Sequence, residues 1–253
     1  MKQHIPNFLT LCNVFCGSIA AVFAALNKLE YAAIFVFAGI FFDFFDGLAA
    51  RWLDVKSEFG IQLDSLADMV TCGLAPGIVM FQLLNMSQTG GWNMTLDPDM
   101  INGSGEGMFT SWIPFLGFLI PMASAYRLAK FNIDEDQVDS FIGLPTPANA
   151  LLILSFPLIL LYQGNDTLNQ IILNPWVLII STLLSAYLLN SPIKLFALKF
   201  SNWSFKENAF RYIFILISAV LLLTLSFLAI PIIIAFYILG SLVSNWTSSN
   251  SQS

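Results

Sequence analysis

Four aspartates stand close together in a stretch of chain that is otherwise apolar: Asp43, Asp46, Asp64 and Asp68. An ionisable side chain at membrane depth costs about 2.5–3.5 kcal/mol on insertion scales, so carboxylates at this density need a partner that neutralises them. Carboxylate oxygens are the ligands that hard divalent cations take in proteins. The cluster therefore indicates a divalent-cation site. Polar contacts between helices, or a pathway for transported cations, are the alternatives.

The spacing of these aspartates places them on two helix faces. The first face, with spacing i, i+3, i+4, i+7, carries Asp43, Asp46, Gly47 and Ala50. The second face, with spacing i, i+4, i+8, carries Gly60, Asp64 and Asp68. Antiparallel helices joined by a short turn bring such stripes opposite one another. Four carboxylates then supply enough oxygen ligands for two ions such as Mg²⁺ or Mn²⁺. The small residues leave room for a bulky anionic ligand, and Arg51 adds a cation suited to a phosphate.

These residue types together predict a displacement reaction at phosphorus. Cations that bridge phosphate oxygens neutralise the charge that develops in such a reaction, and a spare carboxylate can take the proton of an attacking hydroxyl group. The single histidine, His4, leaves little material for a histidine-based zinc site or triad. Cys12, Cys16 and Cys72 all lie in apolar stretches and are predicted to be packing residues without a disulfide.

The elements that must position these residues are membrane helices. The chain is 57% hydrophobic and 10% charged, against roughly 25% charged in soluble domains, which excludes a soluble protein. Its net charge of -6 argues against nucleic acid as a partner. Apolar segments able to cross a hydrocarbon core of ~30 Å recur along the chain. The predicted helices cover 8–26, 31–53, 59–85, 112–130, 147–163, 173–190, 209–226 and 229–246.

This pattern predicts an all-α fold, a polytopic transmembrane helical bundle of about eight transmembrane helices. The last two predicted helices are joined by a tight turn near Pro231, and the polar tail 247–253 is predicted to be disordered. Because basic residues are enriched on the cytoplasmic side, we expect a cytoplasmic N-terminus and an outward-facing loop at 86–111. Lys28 alone then falls outside, and the cytoplasmic basic residues are Lys2, Arg51, Lys56, Arg127, Lys130, Lys194, Lys199, Lys206 and Arg211.

The aspartate pattern resembles the complete signature of the CDP-alcohol phosphotransferase family. In this sequence it reads Asp43-x2-Asp46-Gly47-x2-Ala50-Arg51-x8-Gly60-x3-Asp64-x3-Asp68. The resemblance implies a site for two Mg²⁺ or Mn²⁺ ions held by the four aspartates, with Asp68 as general base. It also implies that Gly47, Ala50, Arg51 and Gly60 line the CDP-binding surface, and that the active site lies at the cytoplasmic membrane face. That location agrees with the charge-derived topology.

Three further segments resemble the phosphatidylserine synthase branch of this family. They are Pro6-Asn7-Phe-Leu-Thr10-Leu-Cys-Asn13, Arg127-Leu-Ala-Lys130-Phe131-Asn132 and Gly143-Leu144-Pro145-Thr-Pro147-Ala148. Asn7, Thr10 and Asn13 put polar groups on one helix face and are assigned to the CDP-lipid. Arg127 and Lys130 could bind the acceptor's carboxylate or a phosphate, although lysine stands where many relatives have arginine, so a bidentate contact there is lost. An ordinary positive-inside anchor is the alternative for this pair.

The resemblance implies transfer of the phosphatidyl group from CDP-diacylglycerol to L-serine in a bacterial inner membrane, with membrane lipid around the bundle and a homodimer by family analogy. Glycerol 3-phosphate or inositol phosphate as acceptor is the nearest alternative, and a cation transporter is a remote one. The predicted organisation is a six-helix catalytic core over 1–190, a cytoplasmic connector and C-terminal transmembrane pair over 191–246, and the tail.

Overall fold

The chain folds into a bundle of apolar helices. The computed structural model describes residues 4–55, 57–89, 112–133, 141–195 and 205–250. In chain order its elements are α1 His4–Ala25, α2 Leu29–Trp52, α3 Glu58–Asp68, a π-helical turn Met69–Leu74, α4 Ala75–Thr89, a 3₁₀ turn Ile113–Phe118, α5 Leu119–Ile133, β1 Phe141–Ile142, α6 Thr146–Tyr162, α7 Asp166–Ile172, α8 Pro175–Asn190, β2 Lys194–Leu195, α9 Phe205–Leu225, a 3₁₀ turn Ser226–Leu228 and α10 Ala229–Asn250. The two short strands pair antiparallel. The prediction of an all-α helical membrane bundle is confirmed.

The eight predicted segments all correspond to helical structure, with ends that differ by a few residues. The short helix α7 was not predicted. Asn165 caps it, since its side-chain oxygen accepts from the backbone N–H groups of Thr167 and Leu168 at 3.0 and 3.1 Å. At the other end of the chain, α10 continues to Asn250 and so extends into the predicted tail, because each added residue completes one more backbone hydrogen bond. Residues 251–253 lie outside the described residues.

Among the described residues, four helical stretches are long and apolar enough to cross a membrane, and a fifth is counted if α7 and α8, bent by 58°, form one broken span. The stretch Arg211–Val243 is two spans rather than one. The rings of Phe214 and Phe236 stack with centroids 5.9 Å apart, whereas one continuous helix would separate them by about 33 Å. The chain therefore reverses between α9 and α10.

The reversal occurs at Ser226, which has a positive φ of 49°, and not near Pro231 as predicted. Pro231 lies in the first turn of α10, where its missing N–H is one that the helix could not have used. The side-chain amide of Gln163 donates to the carbonyl of Leu225 at 2.6 Å, which ties the turn to the end of α6.

The connections that follow α1 and α2 each contain a residue at positive φ, and the second of them forms the hairpin that carries the aspartates. Two residues after the end of α1 lies Asn27 and two residues after the end of α2 lies Asp54, both at positive φ (55° and 52°). At the end of α2 the N–H of Val55 donates to the carbonyl of Ala50, and that of Asp54 to Arg51, which is the Schellman arrangement. Ser57 then caps α3 by accepting from the N–H of Gly60 at 3.1 Å. The connection is short because each helix end is satisfied locally.

The termini of the helices fall at two ends of the bundle. The start of α1, the end of α2 and the start of α3 line one cleft, together with the end of α5. The opposite end holds the start of α2 and the end of α6, where the hydroxyl of Tyr162 donates to Glu30. Arg51 and Lys130 lie at the cleft end of the bundle. Lys28 directly precedes α2 and therefore lies at the opposite end, close to Glu30. Of the residues used for the topology prediction, Lys2, Lys56, Lys199 and 90–111 lie outside the described residues.

The core lies between α1, α2, α4 and α6 and is filled by small and aliphatic side chains such as Ala20, Val36, Val79 and Ile153. Close to the aspartates the packing is tighter. Thr71 of the π-helical turn is fully buried between α1 and α2. A Cβ on Gly17 would lie 2.2 Å from Thr71 Oγ1 and 2.9 Å from Thr71 Cα, and one on Gly39 would lie 2.5 Å from Thr71 Cγ2. α1 and α2 can approach the turn because both positions are glycine.

We expect the Gly17→Ala substitution to destabilise the bundle. The added methyl group collides with backbone as well as side chain, and overpacking of this kind costs about 1–3 kcal/mol. Gly47→Ala is the matched control, because the nearest atom to a Cβ there is Arg51 Nη2 at 3.9 Å. Thermal unfolding in detergent should show a lower midpoint for Gly17→Ala alone. Equal midpoints for the two variants would contradict the tight packing around Thr71.

Candidate active site

Three of the four aspartates converge on one point. Asp43 and Asp46 come from the last three turns of α2 and Asp64 from the middle of α3, and each offers a carboxylate oxygen within 4.8 Å of the others. Asp46 is buried, with 6% of its surface exposed, and Asp64 Oδ1 is buried without a hydrogen-bond partner. Like charges held this close in a partly buried site repel strongly unless a cation lies between them. The donor set, all carboxylate oxygens, fits a hard divalent ion.

Asp68 lies one helical turn beyond Asp64, at the end of α3, and is not part of this three-carboxylate group. It is 9% exposed. Its Oδ2 accepts from the hydroxyl of Thr146, at the start of α6, at 3.4 Å. Its Oδ1 is buried and has no hydrogen-bond partner. The carboxylate is thus held by one oxygen, while the other keeps its capacity to accept a proton.

The start of α1 contacts the carboxylate group from a second side. Thr10 Oγ1 is 2.5 Å from Asp46 Oδ2 and 3.1 Å from the carbonyl of Pro6, and its single proton gives the stronger hydrogen bond to the carboxylate. Asn13, one turn further along, is fully buried. Its side-chain amide faces Asp68 but lacks the geometry of a hydrogen bond. The backbone carbonyl of Asn13 accepts from Thr71 Oγ1 at 3.1 Å.

A cleft of about 500 Å³ opens beside the carboxylates. Asp46 and Asp64 form part of its wall. Six of the seven residues assigned from the sequence to the CDP-lipid also line it, and these are Asn7, Thr10, Gly47, Ala50, Arg51 and Gly60. Asn13, the seventh, is not among the lining residues. Arg51 Nε donates to the carbonyl of Gly47 at 3.0 Å, which lays the guanidinium along the end of α2 at the cleft.

The two predicted acceptor residues lie on α5, around a second and smaller pocket. It measures about 20 Å³ and is lined by Arg127, Lys130, Phe131, Ile142, Leu189, Asn190 and Ser191. Arg127 Nε is buried without a hydrogen-bond partner, and the guanidinium is attracted electrostatically by Asp68. Lys130 is exposed. Of the pair, Arg127 therefore carries a buried donor that a ligand could satisfy.

Comparison with known proteins places the chain among relatives. The sequence model of the CDP-alcohol phosphatidyltransferase family matches residues 3–187, which include every aspartate of the site. The chain belongs to this family.

Three curated relatives are each named CDP-diacylglycerol--serine O-phosphatidyltransferase. The one from Bacillus subtilis is 32% identical over 198 residues, covering 76% of this chain and 89% of the relative. The one from Saccharomyces cerevisiae is 31% identical over 167 residues, covering 60% of this chain and 52% of the relative. The one from Methanocaldococcus jannaschii is 30% identical over 153 residues, covering 60% of this chain and 59% of the relative. The chain therefore spans most of the Bacillus subtilis protein but little more than half of the other two.

A π-helical turn follows the last aspartate of the family signature directly. It runs from Met69 to Leu74 and joins α3 to α4. Because π-turns widen the helix, this segment changes the rotation of α3 relative to the apolar α4, and such turns often occur at functional sites. It also carries Thr71 into the packing between α1 and α2. The turn therefore sets how Asp64 and Asp68 face the other carboxylates.

Sequence reasoning gave no role to two residues that the structure brings to this site. Thr146 contacts Asp68 across 78 positions of sequence, and Ser191 lines the small pocket with Arg127. The only local signal for Thr146 was its place between two prolines at the start of α6. Ser191 carried no signal, because a serine after an apolar helix is typical of an ordinary helix end.

Proposed function

We propose that this protein transfers the phosphatidyl group of CDP-diacylglycerol to L-serine, giving phosphatidylserine and CMP. The observation that carries this proposal is the group formed by Asp43, Asp46 and Asp64 at the wall of a cleft lined by small and polar residues. Such a site suits a pyrophosphate with bound cations. The names of the relatives favour serine as the acceptor.

The residues that would hold the cations are Asp43, Asp46 and Asp64, with Asp68 beside them as a fourth carboxylate. We infer two Mg²⁺ or Mn²⁺ ions, since four carboxylates supply oxygen ligands for two. When bound, these ions would supply charge neutralisation at the pyrophosphate. The buried oxygen of Asp64 that lacks a partner supports this assignment.

Gly47, Ala50 and Gly60 would let the CDP moiety approach the end of α2 and the start of α3, where larger side chains would fill the cleft. Arg51 would bind a phosphate oxygen, because its remaining N–H donors are directed away from its bond to Gly47. Asn7 and Thr10 would contribute polar contacts at the other wall.

Asp68 is the general base in this proposal. It would take the proton of the serine hydroxyl through its unpaired oxygen while the hydroxyl of Thr146 holds the other oxygen in place. The serine oxygen then attacks the β-phosphorus, which carries the diacylglycerol, and the bond from that phosphorus to the departing CMP oxygen breaks. Arg127 would bind the serine carboxylate, since its buried Nε has no hydrogen-bond partner in the described part of the chain.

The setting follows from the helices and the charges. The protein is a membrane protein, and we propose a bacterial inner membrane with the cleft on the cytoplasmic face. In support, Arg51, Arg127 and Lys130 lie at the cleft end of the bundle, as the enrichment of basic residues on the cytoplasmic side requires. The six-helix core over 1–190, the connector and C-terminal pair over 191–246, and a homodimer remain part of the proposal.

The acceptor is tested by CMP release from CDP-diacylglycerol by the detergent-purified protein with Mg²⁺ or Mn²⁺. Serine, glycerol 3-phosphate, inositol and inositol phosphate are offered separately. We expect release with serine alone, because the pocket beside Arg127 is small and Arg127 and Lys130 are the basic residues that line it. Release with a phosphorylated acceptor would keep the chemistry and overturn serine. Cation flux without CMP release would instead identify a transporter.

A further inference from the structure

Phe131 is the one residue that lines both the wide cleft and the small pocket. It appears in the wall that contains Asp46 and Asp64 and also in the wall that contains Arg127. No other residue of the described part of the chain belongs to both sets of lining residues. Phe131, with 41% of its surface exposed, therefore lies at the border between the space assigned to CDP-diacylglycerol and the space assigned to the acceptor.

Phe131 lies on a part of α5 that is anchored to α3. Phe131 is four residues after Arg127 on α5, so the two side chains project from the same face of the helix. The next residue, Asn132, joins α5 to α3: its amide nitrogen donates to Gln62 Oε1 at 3.0 Å, and its oxygen accepts from Ser65 Oγ at 3.1 Å. Since α3 also carries Asp64 and Asp68, these contacts hold the end of α5, which carries Phe131, against the helix of the proposed base.

The two spaces differ greatly in size. The cleft measures about 500 Å³, whereas the pocket measures about 20 Å³, which is room for little more than one water molecule. The pocket can therefore admit only the end of a small polar group, such as one oxygen of a carboxylate next to Arg127. An acceptor with a longer chain would need space that the ring of Phe131 occupies.

We propose that Phe131 is a specificity-determining residue that limits the length of the acceptor and keeps water from the phosphorus atom. This inference rests on the proposed function. Without the ring, cleft and pocket join into one space. A longer hydroxy amino acid could then reach the phosphorus, and so could water. In the water reaction its oxygen attacks the β-phosphorus, the bond from that phosphorus to the CMP oxygen breaks, and phosphatidic acid and CMP are formed.

The test measures CMP release from CDP-diacylglycerol with L-serine, with L-homoserine and with no acceptor. L-homoserine differs from serine by one methylene group, a difference that binding pockets discriminate by about 10–200-fold. For Phe131→Ala we expect the ratio of kcat/KM for serine to that for homoserine to fall by about tenfold or more. We also expect CMP release without an acceptor to rise, with phosphatidic acid as the second product.

Phe59→Ala is the matched control. Phe59 is an aromatic residue of α3, 66% exposed, which lines neither the cleft nor the pocket beside Arg127. It should leave both readouts at the wild-type level. If the alanine variant of Phe131 does not fold, Phe131→Val, which retains more side-chain volume, should show the same changes at smaller size.

Unchanged acceptor selectivity together with unchanged acceptor-free CMP release in a folded Phe131 variant would overturn the inference, as would equal changes in Phe59→Ala. Failure of the proposed function is recognised separately, from the CMP release of the wild-type protein. Absence of CMP release by folded wild-type protein with every acceptor overturns both proposals. If the wild-type protein releases CMP with serine, the results for the Phe131 variants test the role of Phe131 alone.

Discussion

Asp68→Asn should abolish turnover while the protein still binds CDP-diacylglycerol. Asparagine matches aspartate in shape and can still accept from Thr146, but its amide cannot take the proton of the serine hydroxyl. General base catalysis contributes about 10²–10⁴-fold to rate, so kcat should fall by about that factor. Since Asp68 stands apart from the three-carboxylate group, the affinity for the CDP-lipid should change much less. CMP release and CDP-lipid binding are measured on the same preparation.

Asp54→Asn provides the matched control for this variant. Asp54 is exposed and lies on the connection between α2 and α3, so the substitution removes one negative charge close to the site without touching it. Asn adopts the positive φ of this position as readily as Asp does. Turnover of Asp54→Asn should equal that of the wild type. Near-normal turnover by Asp68→Asn would show that the base has been wrongly assigned.

Asp64→Asn should impair metal-dependent binding as well as turnover. Asp64 is the one member of the three-carboxylate group that comes from α3, so its charge joins the two halves of the proposed cation site. Replacing one of three carboxylates with a neutral amide weakens the attraction for a divalent cation. The positive charge of the cation is then less well compensated in a partly buried site, which lowers its binding free energy. We expect CDP-lipid binding in the presence of Mn²⁺ to fall to the level that wild type shows in EDTA.

The measurement for Asp64→Asn is a titration of Mn²⁺ against CDP-lipid binding, with Asp54→Asn again as control. The comparison with Asp68→Asn is the informative one, because the proposal gives Asp64 only the role of holding the cations, whereas Asp68 is also the residue that moves the proton. Both variants should be inactive, and only Asp64→Asn should lose Mn²⁺-dependent binding. Wild-type Mn²⁺ dependence of binding in Asp64→Asn would contradict the assignment of this residue as a ligand.

The positions of the aspartates on their helices could be predicted from sequence because that property is local. Residues three and four positions apart share a helix face whatever the rest of the chain does, and a short connection brings α2 and α3 into antiparallel contact. The ends of the helices followed from apolar length. The convergence of Asp43, Asp46 and Asp64 needed no information from other parts of the chain.

The contacts between distant segments could not be predicted in this way. Thr146 reaches Asp68 from a helix 78 residues away, and no periodicity within either segment encodes that pairing. The spacing along α1 groups Asn13 with Asn7 and Thr10. In the structure its side chain is fully buried and faces Asp68, and its backbone carbonyl accepts from Thr71 of the π-helical turn. Single-sequence patterns do not predict such turns.

The pair of helices α9 and α10 was predicted correctly, but the position of the turn between them was predicted wrongly. The sequence predicts a turn near Pro231, because proline often stands where a helix cannot continue. A helix also accepts proline in its first turn, and α10 uses it there. The turn itself depends on Ser226 at positive φ, a conformation for which serine gives no sequence signal.

The most direct test of the central claim is product formation by metal-free protein as Mn²⁺ is added back. The protein is first stripped with EDTA, and CMP and phosphatidylserine are then both quantified with CDP-diacylglycerol and L-serine present. We predict no product without metal, and equal amounts of CMP and phosphatidylserine once Mn²⁺ is restored. Undiminished turnover by the stripped protein, or CMP formed without phosphatidylserine, would contradict a metal-dependent transfer to serine at the aspartate cluster.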